Sequence, residues 1–490
     1  MRRGVSSWAV SLVALALIGL SVWMLERGRA GLIITEMAVG TTPATLYQRP
    51  DMVGPLVVVA HGFAGSRQLM QAYSLTLAQS GYAVLAFDFE GHGRNPQPMS
   101  GNVGSVDGTT RRLMDETLRV LQAGRALPGV GPGVALLGHS MATDIIVRAA
   151  MADGGVDAVV GISMFSQAVT ATEPARLLII SGEWEGILRA AALKAVRLVQ
   201  PDAVEGKTVT AGDVTRRAVV APNVEHVAVL FSGTAIGAAR DWLDGAFGRT
   251  SSGPVVKPGV WILVLLSGIV VLFRPLVGLL PALPQVLQVS NGRFWLAVLL
   301  PAVVVPLVVT TFYVRFLPVL VADYLMIHLA LFGVLQLALL RVWPLPRWSV
   351  LAVLALVVWG IAVFGIAIDR YAASFLPTMQ RLGIIAALAV GCVPFMVADA
   401  CVTGAGRGVW WRRIVARVAM LASLVGAAFL DLDRLMFVLI ILPVIVLFFL
   451  VLGPMGRWVG RQSGAVSAGL GLGVILAWAL GVSFPMFVAG

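Results

Sequence analysis

The sequence predicts two architectures in one chain: an α/β domain built on a mostly parallel sheet of eight strands, and an all-α domain of about eight transmembrane spans behind it. Three observations carry this expectation. The 490 residues are 58% apolar and 12% charged, with a mean hydropathy of +0.89, far from a soluble composition. Between residues 31 and 250, short β-branched runs alternate with amphipathic stretches. From Pro258 onward the apolar runs lengthen to about 20 residues, the reach of a bilayer-crossing helix.

The elements follow in chain order. After Met1-Arg2-Arg3, the run from Trp8 to Leu25 (WAVSLVALALIGLSVWML) is long enough to cross a bilayer. A cleavable signal peptide is the rival reading. Its apolar region would be shorter, and no convincing A-x-A site precedes Glu26-Arg27, so residues 1–30 are read as a retained anchor. In 31–250, strands are expected at LIITEMAV, ATLYQR, PLVVVAHG, YAVLAFDF, GVALLGHS, DAVVGIS, RLLIISG and RRAVVAP, with helices such as 67–79, 105–126 and 141–152 between them. Strands separated by helices argue for a sheet covered on both faces. In 251–490, spans are expected near 259–281, 294–313, 316–340, 348–368, 380–400, 414–430, 435–453 and 464–487.

Charge placement narrows the partners. The net charge is +11, yet residues 31–250 hold 17 Lys+Arg against 19 Asp+Glu, and the remainder holds 19 against 6. The excess therefore sits mostly in short loops between spans, where it sets orientation. A nucleic-acid footprint would gather on one soluble face, so no nucleic-acid partner is expected. With the amino terminus inside, the inner loops carry Arg293, Arg341, Arg347, Arg407, Arg412, Arg413, Arg457 and Arg461. The outer loops carry Lys257, Arg315, Arg370, Arg381 and Arg434, diluted by Asp369, Asp431 and Asp433. That bias fits a multi-pass protein of the cytoplasmic membrane with 31–250 exported. The two cysteines, Cys392 and Cys401, are nine apart on one apolar helix and cannot bridge.

Chemistry concentrates in 31–250. Gly138-His139-Ser140-Met141-Ala142 ends a predicted strand and begins a predicted helix. A serine on such a turn is held in strained backbone space with its hydroxyl projecting from the sheet, and Ala142 departs by one methyl from the usual closing glycine. The strand Val57-Val58-Val59-Ala60 runs into His61-Gly62-Phe63-Ala64-Gly65, and Asp88-Phe89-Glu90-Gly91-His92-Gly93 follows the next strand. Together these motifs resemble the α/β-hydrolase superfamily, in its dienelactone-hydrolase-like, monoacylglycerol-lipase-like and serine-aminopeptidase-like branches. The resemblance covers about residues 31–250 and says nothing of the rest.

What it implies is specific. Ser140 would be the nucleophile, and the oxyanion hole would be the backbone N–H groups of Phe63 and Met141. Asp88 and His92 would shape a loop rather than act on substrate. The order nucleophile, acid, histidine requires the base to follow Ser140. Of five histidines, His61, His92 and His139 precede or flank the serine and His328 lies in a predicted span, leaving His226. The acid position after RLLIISG falls in Gly182-Glu183-Trp184-Glu185, where Glu185 matches and Glu183 is the alternative. Neither a metal nor a cofactor is expected.

Residues 164–175 leave no room for a sizeable cap between the sixth and seventh strands, so the catalytic face should be open. Polar groups of the membrane half, Arg315, Asp323, Asp369 and Arg370 among them, should gather at its outer side. They are candidate substrate or headgroup contacts, with interhelical bonding as the competing reading. The expected activity is that of a membrane-anchored serine esterase or lipase acting on acyl esters, with the lipid bilayer as its other partner. An acyltransferase using the same acyl-enzyme, or a transport module with a regulatory hydrolase-like domain, are the alternatives. Substrate and oligomeric state stay open.

Overall fold

A computed structural model describes residues 2–102, 105–284, 288–342 and 345–488. Met1 of the predicted anchor segment and the last two residues of the 251–490 block lie outside them. Helix α1 (Arg2–Arg27) leads into a nine-stranded sheet. Its strands are β1 (Ile33–Val39), β2 (Thr42–Gln48), β3 (Gly54–Ala60), β4 (Ala83–Phe87), β5 (Val130–His139), β6 (Ala158–Ile162), β7 (Arg176–Gly182), β8 (Thr208–Ala211) and β9 (Val214–Ala221). Their spatial order is β1-β2-β4-β3-β5-β6-β7-β9-β8. The six from β4 to β9 across the centre are parallel, while β1, β2 and β8 join antiparallel at the margins.

Side-chain alternation along the buried strands fills two cores. Leu56, Val58 and Ala60 face α3 (Arg111–Arg125), α4 (Met141–Asp153) and α5 (Gly186–Arg197), after α2 (Gln71–Gln79) in the chain. Val57 and Val59 face α2 and α6 (Gly233–Ala246). Strand β8 was not among the eight expected. It is short and mostly exposed, and it pairs with β9 across Gly212-Asp213, where Gly212 takes φ +58°. A two-residue Gly-Asp turn is a hairpin signal, but four residues with one buried side chain leave little hydrophobic pattern around it.

The membrane half comprises α7 (Gly259–Val277), α8 (Asn291–Phe312), α9 (Ala322–Leu340), α10 (Val350–Val358), α11 (Phe364–Tyr371), α12 (Met379–Val402), α13 (Trp410–Leu430), α14 (Leu432–Val451), α15 (Gly453–Ser463) and α16 (Ala465–Ser483). A π-helical turn, Trp359–Val363, joins α10 and α11 into one crossing. Among the described residues, nine helices are long and apolar enough to cross a membrane, α1 included. Short α15 is amphipathic and was not expected. Glycines let the central helices touch backbone to backbone: a Cβ on Gly391 would sit 2.2 Å from the Met326 carbonyl, and one on Gly469 2.3 Å from Val397 Cα.

The two halves interlock at one end of the bundle. Buried Arg381 donates to the carbonyls of Gly481, Phe484 and Gly91. The segment after α16 pairs with the loop after β4, through Met486 N–H to the Gly91 carbonyl (2.9 Å) and Met99 N–H to the Met486 carbonyl (2.8 Å). Phe487 is fully buried within the core beneath α3 and α4. Gln71 donates to the Arg370 carbonyl, and Arg94 pairs with Asp369.

Candidate active site

Strand β5 delivers Ser140 to the carboxyl edge of the sheet. Its backbone sits at φ +53°, ψ −117°, a conformation that costs a non-glycine residue of order 1–3 kcal/mol. Surrounding bonds hold it there. Ser140 N–H donates to the Ile162 carbonyl (2.9 Å), and Thr143 donates to the Ser140 carbonyl from both its N–H (2.9 Å) and its hydroxyl (2.6 Å). A Cβ on Gly138 would lie 2.9 Å from Ile146 Cδ1 and 3.1 Å from the Ala142 methyl, so a larger residue there would have to displace neighbours, while the extra methyl of Ala142 packs into the core.

The loop after β9 carries His226 to this edge, and the loop after β7 carries Glu185. His226 Nε2 is 2.8 Å from Ser140 Oγ, and His226 Nδ1 is 2.6 Å from Glu185 Oε1. Glu185 Oε2 accepts from Gly182 N–H (2.6 Å) and the Ser163 hydroxyl (2.8 Å). Burial alone would raise this carboxyl. The bonds from His226, Gly182 and Ser163 outweigh it and hold the group below its usual range, hence ionised at neutral pH. Glu183 turns away and accepts from Asn223 N–H (2.7 Å). Of the two glutamates considered, the structure brings Glu185 to the histidine.

The loop from β3 approaches from the other side. His61 Nε2 accepts from Phe89 N–H, leaving Nδ1–H to donate to the Gly62 carbonyl (2.8 Å), which pins the turn. Ala64 reverses the chain at φ +55°. Gly62 has no room for a side chain: a Cβ would meet His139 Nδ1 at 2.8 Å and Ser140 Cβ at 3.0 Å. Among the described residues, neither Phe63 N–H nor Met141 N–H donates to a protein acceptor. Asp88 is fully buried, accepting from Arg67 and from Arg94 N–H, and His92 Nδ1 bonds the Glu90 carbonyl, so both are tied into loop structure.

Residues that sequence reading passed over also belong here. Ser163 and Gly182 orient Glu185. His139, one residue before the serine, donates from Nε2 to the His226 carbonyl (2.9 Å) and so braces the histidine loop. Burial and the neighbouring His226 ring push its pKa down to about 4, so it stays neutral. A polar residue at the end of each strand was the available signal.

A cleft of about 320 Å³ opens over Ser140 and His226, lined also by Val106, Met141, Phe165 and Leu188. No helix spans the segment between β6 and β7, as its length implied. None of the four candidate contacts from the membrane half lines this cleft. Asp323 accepts from the Tyr313 hydroxyl and from the N–H groups of Phe316, Leu317 and Tyr324. Asp369 pairs with Arg94, Arg370 bonds Glu26 and Tyr371, and Arg315 is exposed. What the membrane half does contribute is Phe437 of α14, whose ring centroid lies 5.1 Å from that of Phe63.

The sheet order, the strained elbow and its flanking loops define an α/β-hydrolase domain joined to a bundle of apolar helices. Residues 53–202 match the family model described as serine aminopeptidase, S33. Solved structures are also similar to the chain, and three illustrate the likeness. The TT1662 protein of Thermus thermophilus is 18% identical over 45% of this chain and 99% of its own, with a TM-score of 0.34. Est1E of Butyrivibrio proteoclasticus, solved with ferulic acid, is 16% identical over 44% and 100%, with a TM-score of 0.33. A membrane phospholipase A described as a bacterial virulence factor is 16% identical over 51% and 100%, with a TM-score of 0.34. Comparison with curated proteins gives no match.

Proposed function

We propose that the protein is a membrane-embedded serine hydrolase that cleaves acyl esters of lipids, with Ser140, His226 and Glu185 as its catalytic residues. The observation that carries this reading is the unbroken chain from Ser140 Oγ through the imidazole to an ionised carboxylate, beside two unengaged N–H groups. His226 Nε2 takes the hydroxyl proton as Ser140 Oγ attacks the acyl carbonyl. The oxyanion rests on Phe63 and Met141 N–H, each donor worth about 3 kcal/mol of barrier. His226 then protonates the departing alcohol, and a water, deprotonated by the same nitrogen, releases the acid. Glu185 holds the proton of His226 on Nδ1 and stabilises the imidazolium.

Two features favour a lipid. Phe165, which lines the cleft, is 56% exposed, and Trp184 and Ile187, adjacent in the chain to Glu185 and to the cleft residue Leu188, are 67% and 83% exposed, apolar surface suited to an acyl chain. Phe437 joins the loop of Phe63 to a helix of bilayer-crossing length, which supports a site near the boundary of bilayer and aqueous phase. The excess of arginine at the far end of the bundle supports placing the hydrolase domain on the extracytoplasmic side of the cytoplasmic membrane.

Labelling of the full-length protein with a fluorophosphonate probe tests the assignment. Wild type is expected to label, and Ser140→Ala and His226→Ala are not. Labelling that survives Ser140→Ala overturns the site. Phe437→Ala should slow hydrolysis of phospholipid or acylglycerol in vesicles while sparing a short soluble ester. Equal effects on both would remove the lipid reading and leave the hydrolase.

A further inference from the structure

The end of the bundle remote from the sheet carries a second constellation, which the hydrolytic site does not use. Helix α13 brings in Arg413 and Arg417, and α15 supplies Arg457 and Arg461. Of the five acids in 251–490, Asp323, Asp369, Asp431 and Asp433 lie at the hydrolase end, which leaves Asp399 to oppose four arginines. Arg417 pairs with Asp399 at 3.2 Å, and its guanidinium lies 4.2 Å from the Phe449 ring centroid. A Cβ built on Gly453 would be 3.5 Å from Arg417 Nη1 and 3.7 Å from Arg457 Nη1, so two guanidiniums converge on one point. Arg417 Nε is buried without an acceptor, and among the described residues Arg457 donates to no protein acceptor.

Orientation in the membrane needs positive charge at this end, but that charge can stand in water. Here the guanidiniums are drawn together instead. Burial first, and then the nearby Arg413, Arg417 and Arg461, hold Arg457 below the usual arginine range, and among the described residues no carboxylate pairs with it. A groove of about 380 Å³ is lined by Arg413, Arg417 and Arg457 and otherwise by apolar side chains of α13 and α14. Val418 and Leu450 among these are 57% and 67% exposed on helices of bilayer-crossing length. Basic at its mouth and apolar along its length, it has the chemistry of a phospholipid, and the planar fork of arginine matches phosphate oxygens.

We propose that this groove between α13, α14 and α15 binds an anionic phospholipid, its phosphate held by Arg417 and Arg457 and its acyl chains laid along Val418 and Leu450. The site lies in the leaflet opposite the hydrolase domain, and its occupant acts as a structural or regulatory lipid rather than as substrate.

Native mass spectrometry of the full-length protein in neutral detergent reads the occupant directly. Dioleoyl-phosphatidylglycerol should be retained about tenfold better than dioleoyl-phosphatidylcholine, the loss expected from one charge-assisted contact. Arg457→Gln should abolish that preference, and Arg434→Gln at the other end of the bundle should keep it. Val418→Trp, on a lipid-facing position that folding does not need, should lower retention of phosphatidylglycerol without any change of charge. Equal retention of the two lipids by the wild type, or wild-type preference in Arg457→Gln together with wild-type retention in Val418→Trp, overturns the proposal. Displacement of the lipid by equimolar inorganic phosphate would overturn it too, since the site would then recognise a free anion.

Discussion

Replacing Glu185 by glutamine removes a charge while keeping the shape, and the bonds around it decide the outcome. Oε2 accepts from two donors, Gly182 N–H and the Ser163 hydroxyl, while Oε1 accepts from His226 Nδ1–H. A glutamine cannot satisfy all three. With its NH₂ towards Gly182, donor faces donor and the bond to Gly182 is lost, a cost of about 1–3 kcal/mol in a buried place. With its NH₂ towards His226, the imidazole must take the other tautomer. Nε2 then carries a proton and can no longer accept one from Ser140. The second arrangement keeps both bonds at the buried end, so it should dominate. Loss of the base in this way lowers kcat by about 10⁴, or roughly 5.5 kcal/mol of barrier. Hydrolysis of a p-nitrophenyl acyl ester by full-length protein in detergent measures it. Glu183→Gln, whose carboxylate only caps Asn223 N–H, should cost less than about tenfold. If Glu183→Gln were the crippling change and Glu185→Gln nearly silent, the reasoning would be refuted.

Other perturbations follow from the same contacts. Gly62→Ala should abolish ester turnover with little loss of fold, because its methyl meets His139 and Ser140 at the elbow; full activity would contradict the close approach of the two loops. Stability should fall as pH drops below about 6.5. His61, His92 and His139 are held below the usual imidazole range by burial, so each takes up its proton more readily on unfolding. For His139, lowered to about 4, the stability present above pH 6.5 is lost on descending towards pH 4 and amounts to about 3 kcal/mol. Thermal unfolding followed between about pH 8 and pH 5 checks this, and His139→Gln should flatten part of the slope. Gly333→Ala should destabilise the membrane half by about 1–3 kcal/mol, since its Cβ would lie 2.4 Å from Phe395 N, which cannot yield; an unchanged melting temperature would count against that helix contact.

How far the site could be read in advance depended on how local its signals are. Strand runs such as VVVA and RLLIIS announce themselves by β-branched residues between turns, and eight strands were legible for that reason. Ser140 was legible because small residues must flank a tight strand-to-helix turn, and His226 because four other histidines stood in the wrong places. Glu185 was preferred to Glu183 by its place in the motif, but the choice stayed open. They differ by two positions in a loop, and the direction in which each side chain points depends on Ser163 and on the histidine loop, both distant in sequence. The polar residues at the outer end of the bundle were recognised as a group. Their partners were not, because bonds such as Arg94–Asp369 and Arg381–Gly91 join residues about 280 positions apart.

The sequence alone determined the class of each half: hydrophobic period and run length, which depend only on neighbouring residues, gave an α/β domain and apolar helices of bilayer length, and the short motifs around Ser140, His61 and Asp88 gave the resemblance to α/β-hydrolases. Tertiary structure decided which glutamate meets the histidine, that His139 braces that histidine's loop, and that Phe437 rests on Phe63. It also decided that Phe487, near the end of the chain, is buried in the hydrolase core, and that Arg417, alone among the four arginines gathered from two helices, pairs with Asp399. Each of these is a contact between segments far apart in the chain. Only the closing of long loops and the packing of small residues such as Gly391 and Gly469 bring those segments together.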